Sequence, residues 1–219
     1  MELKVDNGEG IDSWKEVTLI YSAALRQVET KMQILNDEFQ HVHQYNPIEH
    51  IKARIKTPES IVKKLKRNGY ESTIANMVKY INDIAGIRII CSFTSDIFRI
   101  AGMIGDQRDI KVIAIKDYIT FPKASGYKSY HMIVTVPVYL SDRTVETKVE
   151  IQIRTVAMDF WASLEHKIHY KFEGDAPEHI RSELVECAKL VADLDARMLS
   201  LNNEIVSISQ ERLRRGRVI

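Results

Sequence analysis

Residues 148–154 read Lys148-Val149-Glu150-Ile151-Gln152-Ile153-Arg154, and this stretch decides the fold. Its polar and apolar residues alternate, as they do in a β-strand whose successive side chains point to opposite faces. We expect the three aliphatic side chains to pack beneath helices. The polar face has two interpretations. It is an exposed antiparallel face with a ladder of charges, or it is one wall of a polar cleft with Glu150 as base or metal ligand.

Further strands are predicted on both sides of this stretch. Runs rich in β-branched residues predict strands over Ile84–Phe93, Lys111–Tyr118, Tyr130–Leu140 and Thr147–Thr155, and Ile48–Lys56 is predicted to be extended. The segment SDRTVE joins the last two strands and is typical of a hairpin turn. These elements predict a small mixed sheet.

Helical periodicity predicts helices over residues 13–43, 60–67, 72–81, 95–104, 156–170 and 177–213. Thr57 is a predicted N-cap, and Pro58 suits the first helical position. Residues 1–12 are expected to be frayed. The pattern predicts an α+β fold in which helices flank the sheet, with long helices at both ends of the chain.

The length of 219 residues predicts a single domain. We divide it into an N-terminal helix (1–46), a core (47–171) and a C-terminal helix with a basic tail (172–219). Lys and Arg total 31 against 30 Asp and Glu, so broad wrapping of nucleic acid is not indicated. The two cysteines, Cys91 and Cys187, form no metal or disulfide pattern. With no apolar signal segment or membrane span, we expect a cytoplasmic protein.

A basic cluster surrounds the predicted helix at 60–67. Arg54 and Lys56 lie two apart in an extended segment and face the same way, while Ser60 and Lys64 share one face of the helix. Cations beside a helix N-terminus form a good anion site. A solvated basic helix is the alternative.

A second cluster is the segment 123–131, Lys-Ala-Ser-Gly-Tyr-Lys-Ser-Tyr-His. Lys123, Lys128 and His131 could donate to phosphate, and Tyr127 offers a ring on which a base could stack. Gly126 permits a sharp entry to the following strand. The alternative is an ordinary hairpin entry.

Asp83 and Arg88 form a third candidate pair. Asp83 precedes an apolar strand, and Arg88 interrupts that strand. A lone buried arginine needs an anionic partner. Arg88 therefore either pairs with a structural carboxylate or binds a phosphate, in which case Asp83 would bind Mg²⁺.

Taken together, four segments resemble the (p)ppGpp synthetase family of the RelA/SpoT superfamily. They are RIKTPESIVKK, YINDIAGIRIIC, KDYITFPKASGYKSYH and VEIQIRTVAMDFWASLEHKIHYK, and they span about half of the chain. The size and flanking helices are similar to the small alarmone synthetases of the RelP/RelQ type. Long relatives carry a hydrolase domain with a His-Asp motif, and this sequence has no His-Asp pair.

The resemblance implies a nucleotidyltransferase-like synthetase fold, a homotetramer and a role in the bacterial stringent response. It also implies transfer of pyrophosphate from ATP to the 3′-hydroxyl of GDP or GTP with release of AMP, by a synthetase without hydrolase activity. On the ATP side, Arg54 would stack on adenine and Asp83 would bind Mg²⁺. The residues that would hold the ATP phosphates are Lys56, Ser60, Lys64, Arg88 and, more weakly, Arg67.

On the acceptor side, the resemblance implies that Tyr127 stacks on guanine. The other residues assigned to GDP or GTP are Lys123, Lys128, His131 and Gln152. Glu150 would bind Mg²⁺ and accept the 3′-hydroxyl proton, which requires a raised pKa or a metal-acidified hydroxyl. Long family members often carry Asn where this chain has Ser125, so a contact made by that amide would be weaker or absent.

Two other functions stay open at this point. The chain could be an RNA-binding module that uses Tyr127 and its C-terminal arginines. It could also be a nucleotidyltransferase that passes AMP to an acceptor. The sequence does not decide between GDP and GTP, between the RelP and RelQ branches, or whether product or RNA regulates the enzyme.

Overall fold

The computed structural model describes residues 13–171 and 176–215, which form five strands and six helices. In chain order these are α1 (Trp14–His41), β1 (Ile48–Ile55), α2 (Pro58–Arg67), α3 (Ile74–Tyr80), β2 (Ala85–Cys91), α4 (Thr94–Gly105), β3 (Lys111–Asp117), β4 (Tyr130–Tyr139), β5 (Thr144–Thr155), α5 (Val156–Lys171) and α6 (Glu178–Arg215). Every predicted helix is present. The expected fraying of residues 1–12 and the last four residues of the basic tail lie outside the described residues.

The strands form one mixed sheet in the order β1-β2-β5-β4-β3. β5 lies at its centre, parallel to β2 and antiparallel to β4. The segment predicted to be extended forms the edge strand β1, which pairs antiparallel with β2. The hairpin between β4 and β5 is confirmed, but β5 begins at Thr144 and not at Thr147, so the turn is shorter than expected.

The alternation in β5 fixes which face of the sheet is apolar. Val149, Ile151 and Ile153 are fully buried in the main core, to which α1 contributes a run of fully buried side chains. Burial of one such aliphatic side chain contributes roughly 1.5–3 kcal/mol. A shift of register by one residue would lose these contributions together, so Glu150 and Gln152 are held on the opposite face.

Local signals set the start of α2. Thr57 is the N-cap, with its hydroxyl accepting from the Ser60 amide at 3.4 Å, and Pro58 occupies the first turn. Ile61 and Leu65 are fully buried. Ser60 and Lys64 therefore lie on the opposite, polar face of the helix, as their spacing predicted.

α6 packs against the loop that enters β4. Gly126 in this loop has φ +86°, and a Cβ on it would lie 2.4 Å from the Cβ of Ala188 on α6. Trp161 of α5 donates from Nε1 to the Leu184 carbonyl of α6 at 3.0 Å. The outer side of α6 exposes Leu190, Leu194, Met198, Leu201 and Ile205. None of the helices in the described segments has the length and apolarity to cross a membrane.

Candidate active site

The polar face of the sheet holds a cleft of about 390 Å³. Its walls come from β1, β2 and β5 and from Asp83, which lies two residues before β2. Predicted site residues line it, namely Arg54, Asp83, Arg88, Glu150 and Gln152. The pairing of β2 with both neighbours brings these residues together, since β1 and β5 lie on either side of β2.

Gly86 forms the floor of the cleft and was not among the predicted site residues. It lies opposite Arg54 on β1 and Glu150 on β5. A Cβ added at Gly86 would have its nearest neighbours 4.0 Å away, the carbonyl oxygens of those two residues. The missing side chain therefore leaves open space between the arginine and the carboxylate.

Asp83 is held by two lysines. Its Oδ2 accepts from Lys56 Nζ and its Oδ1 from Lys64 Nζ, both at 2.8 Å. Burial opposes the ionised carboxyl, but the two ammonium groups outweigh it and hold the pKa of Asp83 below its ordinary value. Lys148 supports the loop that carries Asp83, because its Nζ donates to the Lys79 carbonyl and to Asn82 Oδ1.

Glu150 receives contacts at both carboxylate oxygens. His131 Nδ1 lies 3.4 Å from Oε1, and Gln152 Nε2 donates to Oε2 at 2.8 Å. Burial would raise the pKa of Glu150, but the contacts with His131 and Gln152 prevail and lower it. Of the two conditions that would make this carboxylate a base, a raised pKa is therefore not met.

The predicted acceptor residues meet beside Glu150. The Tyr127 hydroxyl lies 2.9 Å from His131 Nε2. Lys123 Nζ lies 4.8 Å from the ring centroids of both Tyr127 and Tyr118. An aromatic platform with an ammonium group thus lies against His131, which contacts Glu150, and Tyr118 joins this platform although it was not among the predicted site residues.

Arg88 pairs with a structural carboxylate, which was the first of the two possibilities predicted for it. Its Nη1 donates to Asp159 Oδ1 at 3.0 Å, and Arg154 donates to the same oxygen at 3.1 Å. Arg88 Nε is buried without a hydrogen-bond partner, so the side chain retains a donor for a ligand. Asp159 and Arg154 were not selected from the sequence. No sequence signal pointed to them, because only the pairing of β2 with β5 brings the two arginines to one anion.

Residues 53–175 match the family described as the region found in RelA / SpoT proteins. This match covers more than half of the chain and contains the cleft residues described above. The chain belongs to the RelA/SpoT family. The GTP pyrophosphokinase YwaC of Bacillus subtilis is 47% identical over 89% of this chain and 93% of its own length.

Two solved structures of this RelA/SpoT group share the fold. Small alarmone synthetase 1 from Bacillus subtilis, bound to its product pppGpp, has a TM-score of 0.82 and 32% identity, covering 88% of this chain and 97% of its own. Small alarmone synthetase 2 from Bacillus subtilis has a TM-score of 0.79 and 46% identity, covering 87% and 98%. The chain is thus more similar in sequence to the second of these two synthetases.

Eight predicted residues of this RelA/SpoT chain do not line the cleft: Lys56 and Lys64 hold Asp83, Lys123, Tyr127 and His131 form the neighbouring cluster, and Ser60, Arg67 and Lys128 lie elsewhere. Lys128 lines a separate cavity of about 230 Å³ beneath α6, together with Asp195. The neighbouring Tyr127 does not line this cavity and instead contacts His131. Ser60 and Arg67 lie exposed on α2, one turn to either side of Lys64. Their roles remain predictions.

The donor set can be tested against the divalent cation that the family resemblance implies. In the described part of the chain, no group of three or more His, Cys, Asp or Glu side chains is placed to hold a metal. Mg²⁺ is usually bound by one or two carboxylates together with substrate phosphates and water. Asp83 and Glu150 line one cleft and influence each other electrostatically, so they fit Mg²⁺ bound together with a nucleotide.

Proposed function

We propose that this chain transfers the pyrophosphoryl group of ATP to the 3′-hydroxyl of GDP or GTP, with release of AMP. One observation carries the proposal. Asp83 and Glu150 lie in one cleft, with a cationic wall (Arg54, Lys56, Lys64 and Arg88) beside Asp83 and the aromatic platform beside Glu150, on a chain 32% identical to a synthetase solved with its product pppGpp. The alternative of an RNA-binding module has no support in these similarities.

The cationic wall would bind ATP. Arg54 is exposed at the cleft and free to stack on adenine, and Arg88 keeps an unpaired Nε for a phosphate. Lys56 and Lys64 together carry more positive charge than Asp83 neutralises, so a phosphate can join them. Ser60 and Arg67 extend the same helix face and are proposed as further phosphate contacts.

The aromatic platform would bind the acceptor. Tyr127 would stack on guanine, and Lys123 beside it would contact the acceptor's phosphates. Gln152 lines the cleft next to Glu150 and would contact the same nucleotide. The predicted phosphate contact of His131 requires that one of its two present contacts, with Tyr127 or with Glu150, break.

The chemistry depends on positioning and charge. In-line attack of the 3′-hydroxyl on the β-phosphorus of ATP needs little covalent assistance from protein groups. Mg²⁺ held by Asp83, Glu150 and the nucleotide phosphates would supply Lewis-acid stabilisation of the transferring group. Glu150 would accept the hydroxyl proton. Since the pKa of Glu150 is lowered, we infer that the hydroxyl must be acidified where it binds.

We further propose that the enzyme assembles as a homotetramer in the cytoplasm and acts in the stringent response. The exposed apolar side chains of α6 support assembly, because they form a long unpartnered stripe on a helix whose other side packs on the protein. Size-exclusion chromatography with light scattering would test the tetramer. A monomer at micromolar concentration would contradict it.

The test of the function is product analysis. The purified chain is incubated with Mg²⁺, ATP labelled at the β-phosphate, and either GDP or GTP, and the nucleotides are resolved. We expect AMP and label on the guanine nucleotide, and no turnover for Glu150→Gln. Release of pyrophosphate in place of AMP would indicate AMP transfer and refute the proposal. With ppGpp or pppGpp as substrate, we expect no release of pyrophosphate, since the sequence has no His-Asp pair.

A further inference from the structure

Five side chains of the site form a closed ring of polar contacts, four of them hydrogen bonds and the fifth the contact between His131 and Glu150. On one path, Arg154 Nη2 donates to the Tyr127 hydroxyl, which lies 2.9 Å from His131 Nε2, and His131 Nδ1 lies 3.4 Å from Glu150 Oε1. On the other, Arg154 Nη2 donates to Gln152 Oε1 at 3.1 Å, and Gln152 Nε2 donates to Glu150 Oε2 at 2.8 Å. Both paths start at Arg154 and end at Glu150.

Along both paths of this ring, each donor points away from Arg154 and toward Glu150. A guanidinium has no acceptor, so the Tyr127 oxygen accepts from Arg154 and its own proton is directed to His131 Nε2. In its neutral form, His131 then carries its proton on Nδ1, which faces Glu150. This tautomer is assigned from the network. The amide oxygen of Gln152 is likewise engaged by Arg154, which turns its amide nitrogen toward Glu150.

Arg154 is itself firmly fixed. Its side chain is 5% exposed, its Nε donates to Ser129 Oγ at 3.2 Å, and its Nη1 donates to Asp159 Oδ1 at 3.1 Å. The guanidinium group is planar and rigid, so Arg154 cannot shift one of these hydrogen bonds without disturbing the others. Asp159 also holds Arg88, so the same anchor connects the cationic wall to the ring.

We propose that Arg154 is a positioning residue for pyrophosphoryl transfer, fixing the Glu150 carboxylate toward the acceptor hydroxyl through Tyr127, His131 and Gln152. The inference rests on the proposed function of the cleft. It also gives Tyr127 two tasks. The ring face is available to the acceptor base, while the hydroxyl keeps His131 oriented toward Glu150. The alternative is that Arg154 acts only as the structural ion-pair partner of Asp159.

Kinetics of two variants separate these possibilities. Arg154→Lys keeps the positive charge beside Asp159 but loses the fork, and we expect kcat to fall roughly 10- to 100-fold, as when other orienting partners are removed. Tyr127→Phe keeps the stacking face and loses only the hydroxyl, so kcat should fall while KM for the acceptor and for ATP stays within about threefold. Arg143→Lys is the matched control, since Arg143 pairs with Glu16 away from the cleft.

The second readout is the tautomer of His131, measured by ¹⁵N NMR of histidine-labelled protein and assigned with His131→Gln. We expect the Nδ1–H form in the wild type and its loss in Arg154→Lys and Tyr127→Phe. This readout needs no turnover, so it tests the ring even if the wild type makes no alarmone, a result that would refute the proposed function alone. An Nε2–H tautomer in the wild type would overturn the inference, and so would wild-type kcat in Tyr127→Phe, the variant that decides if Arg154→Lys does not fold.

Discussion

Gly126→Ala tests whether the packing of α6 fixes the position of the loop before β4, which carries Tyr127. A residue with a side chain at φ +86° costs about 1–2 kcal/mol in the left-handed region. The added Cβ would also lie 2.4 Å from Ala188 Cβ, which real contacts do not permit. Overpacking of this kind costs about 1–3 kcal/mol more. The loop or the helix must move, and Tyr127 follows directly on the loop.

Gly69→Ala is the matched control. Gly69 has φ +78°, but no atom lies within 4 Å of its added Cβ, so this variant carries the conformational cost alone. The two variants should therefore differ by the cost of the contact with Ala188, about 1–3 kcal/mol in the free energy of unfolding. In a chain of this size, each kcal/mol corresponds to a change in Tm of roughly 2–4 °C.

The assay is denaturant unfolding of both variants together with the acceptor KM. Gly126→Ala should raise the acceptor KM because Tyr127 is displaced, while Gly69→Ala should leave it unchanged. The double variant Gly126→Ala/Ala188→Gly should recover much of the loss in a double-mutant cycle. Equal destabilisation by the two alanines, or no coupling to Ala188, would refute the proposed packing of α6 on the loop.

Three further variants test the site and its surroundings. Asp83→Asn should lose Mg²⁺-dependent turnover and still bind GDP in a calorimeter, and unchanged magnesium dependence would exclude Asp83 as a ligand. Tyr127→Ala should raise the acceptor KM by about 5- to 150-fold, equivalent to 1–3 kcal/mol of stacking, and an equal rise for ATP would indicate a folding defect. Burial raises the pKa of Asp195, so the folded chain binds its proton more tightly and loses stability as pH rises above about 4. Asp195→Asn should therefore raise Tm at pH 7, with a gain that shrinks toward pH 4; a gain independent of pH would contradict this.

The elements that place the site were predictable because their signals are local. The Thr57-Pro58 start and the spacing of Ile61 and Leu65 defined α2 and its polar face. The alternation in β5 identified Glu150 as a residue of the polar face. Each signal arises within a few residues, from capping or from side-chain periodicity, so no knowledge of distant contacts was needed.

The contacts between elements could not be predicted in the same way. Which strands pair is set by packing over the whole domain, so the position of Gly86 beside Glu150 was not visible in either strand. Asp159 lies in the first turn of α5, and only the parallel pairing of β2 with β5 brings Arg88 and Arg154 to it together. Lys128 is a further case, because it lines the cavity beneath α6, which forms only when that helix packs on the loop before β4.

The central position of β5 has a consequence for the order in which the chain folds. During synthesis β1 and β2 emerge early, but the inner edge of β2 stays unpaired until residues 149–155 have been made. The inner edge of β4 likewise stays unpaired until β5 has been made. Pairing between segments so distant in sequence is slow, and an unpaired strand edge is prone to aggregation. A nascent chain that ends before Thr155 therefore exposes two open edges, and insertion of β5 closes both in one step.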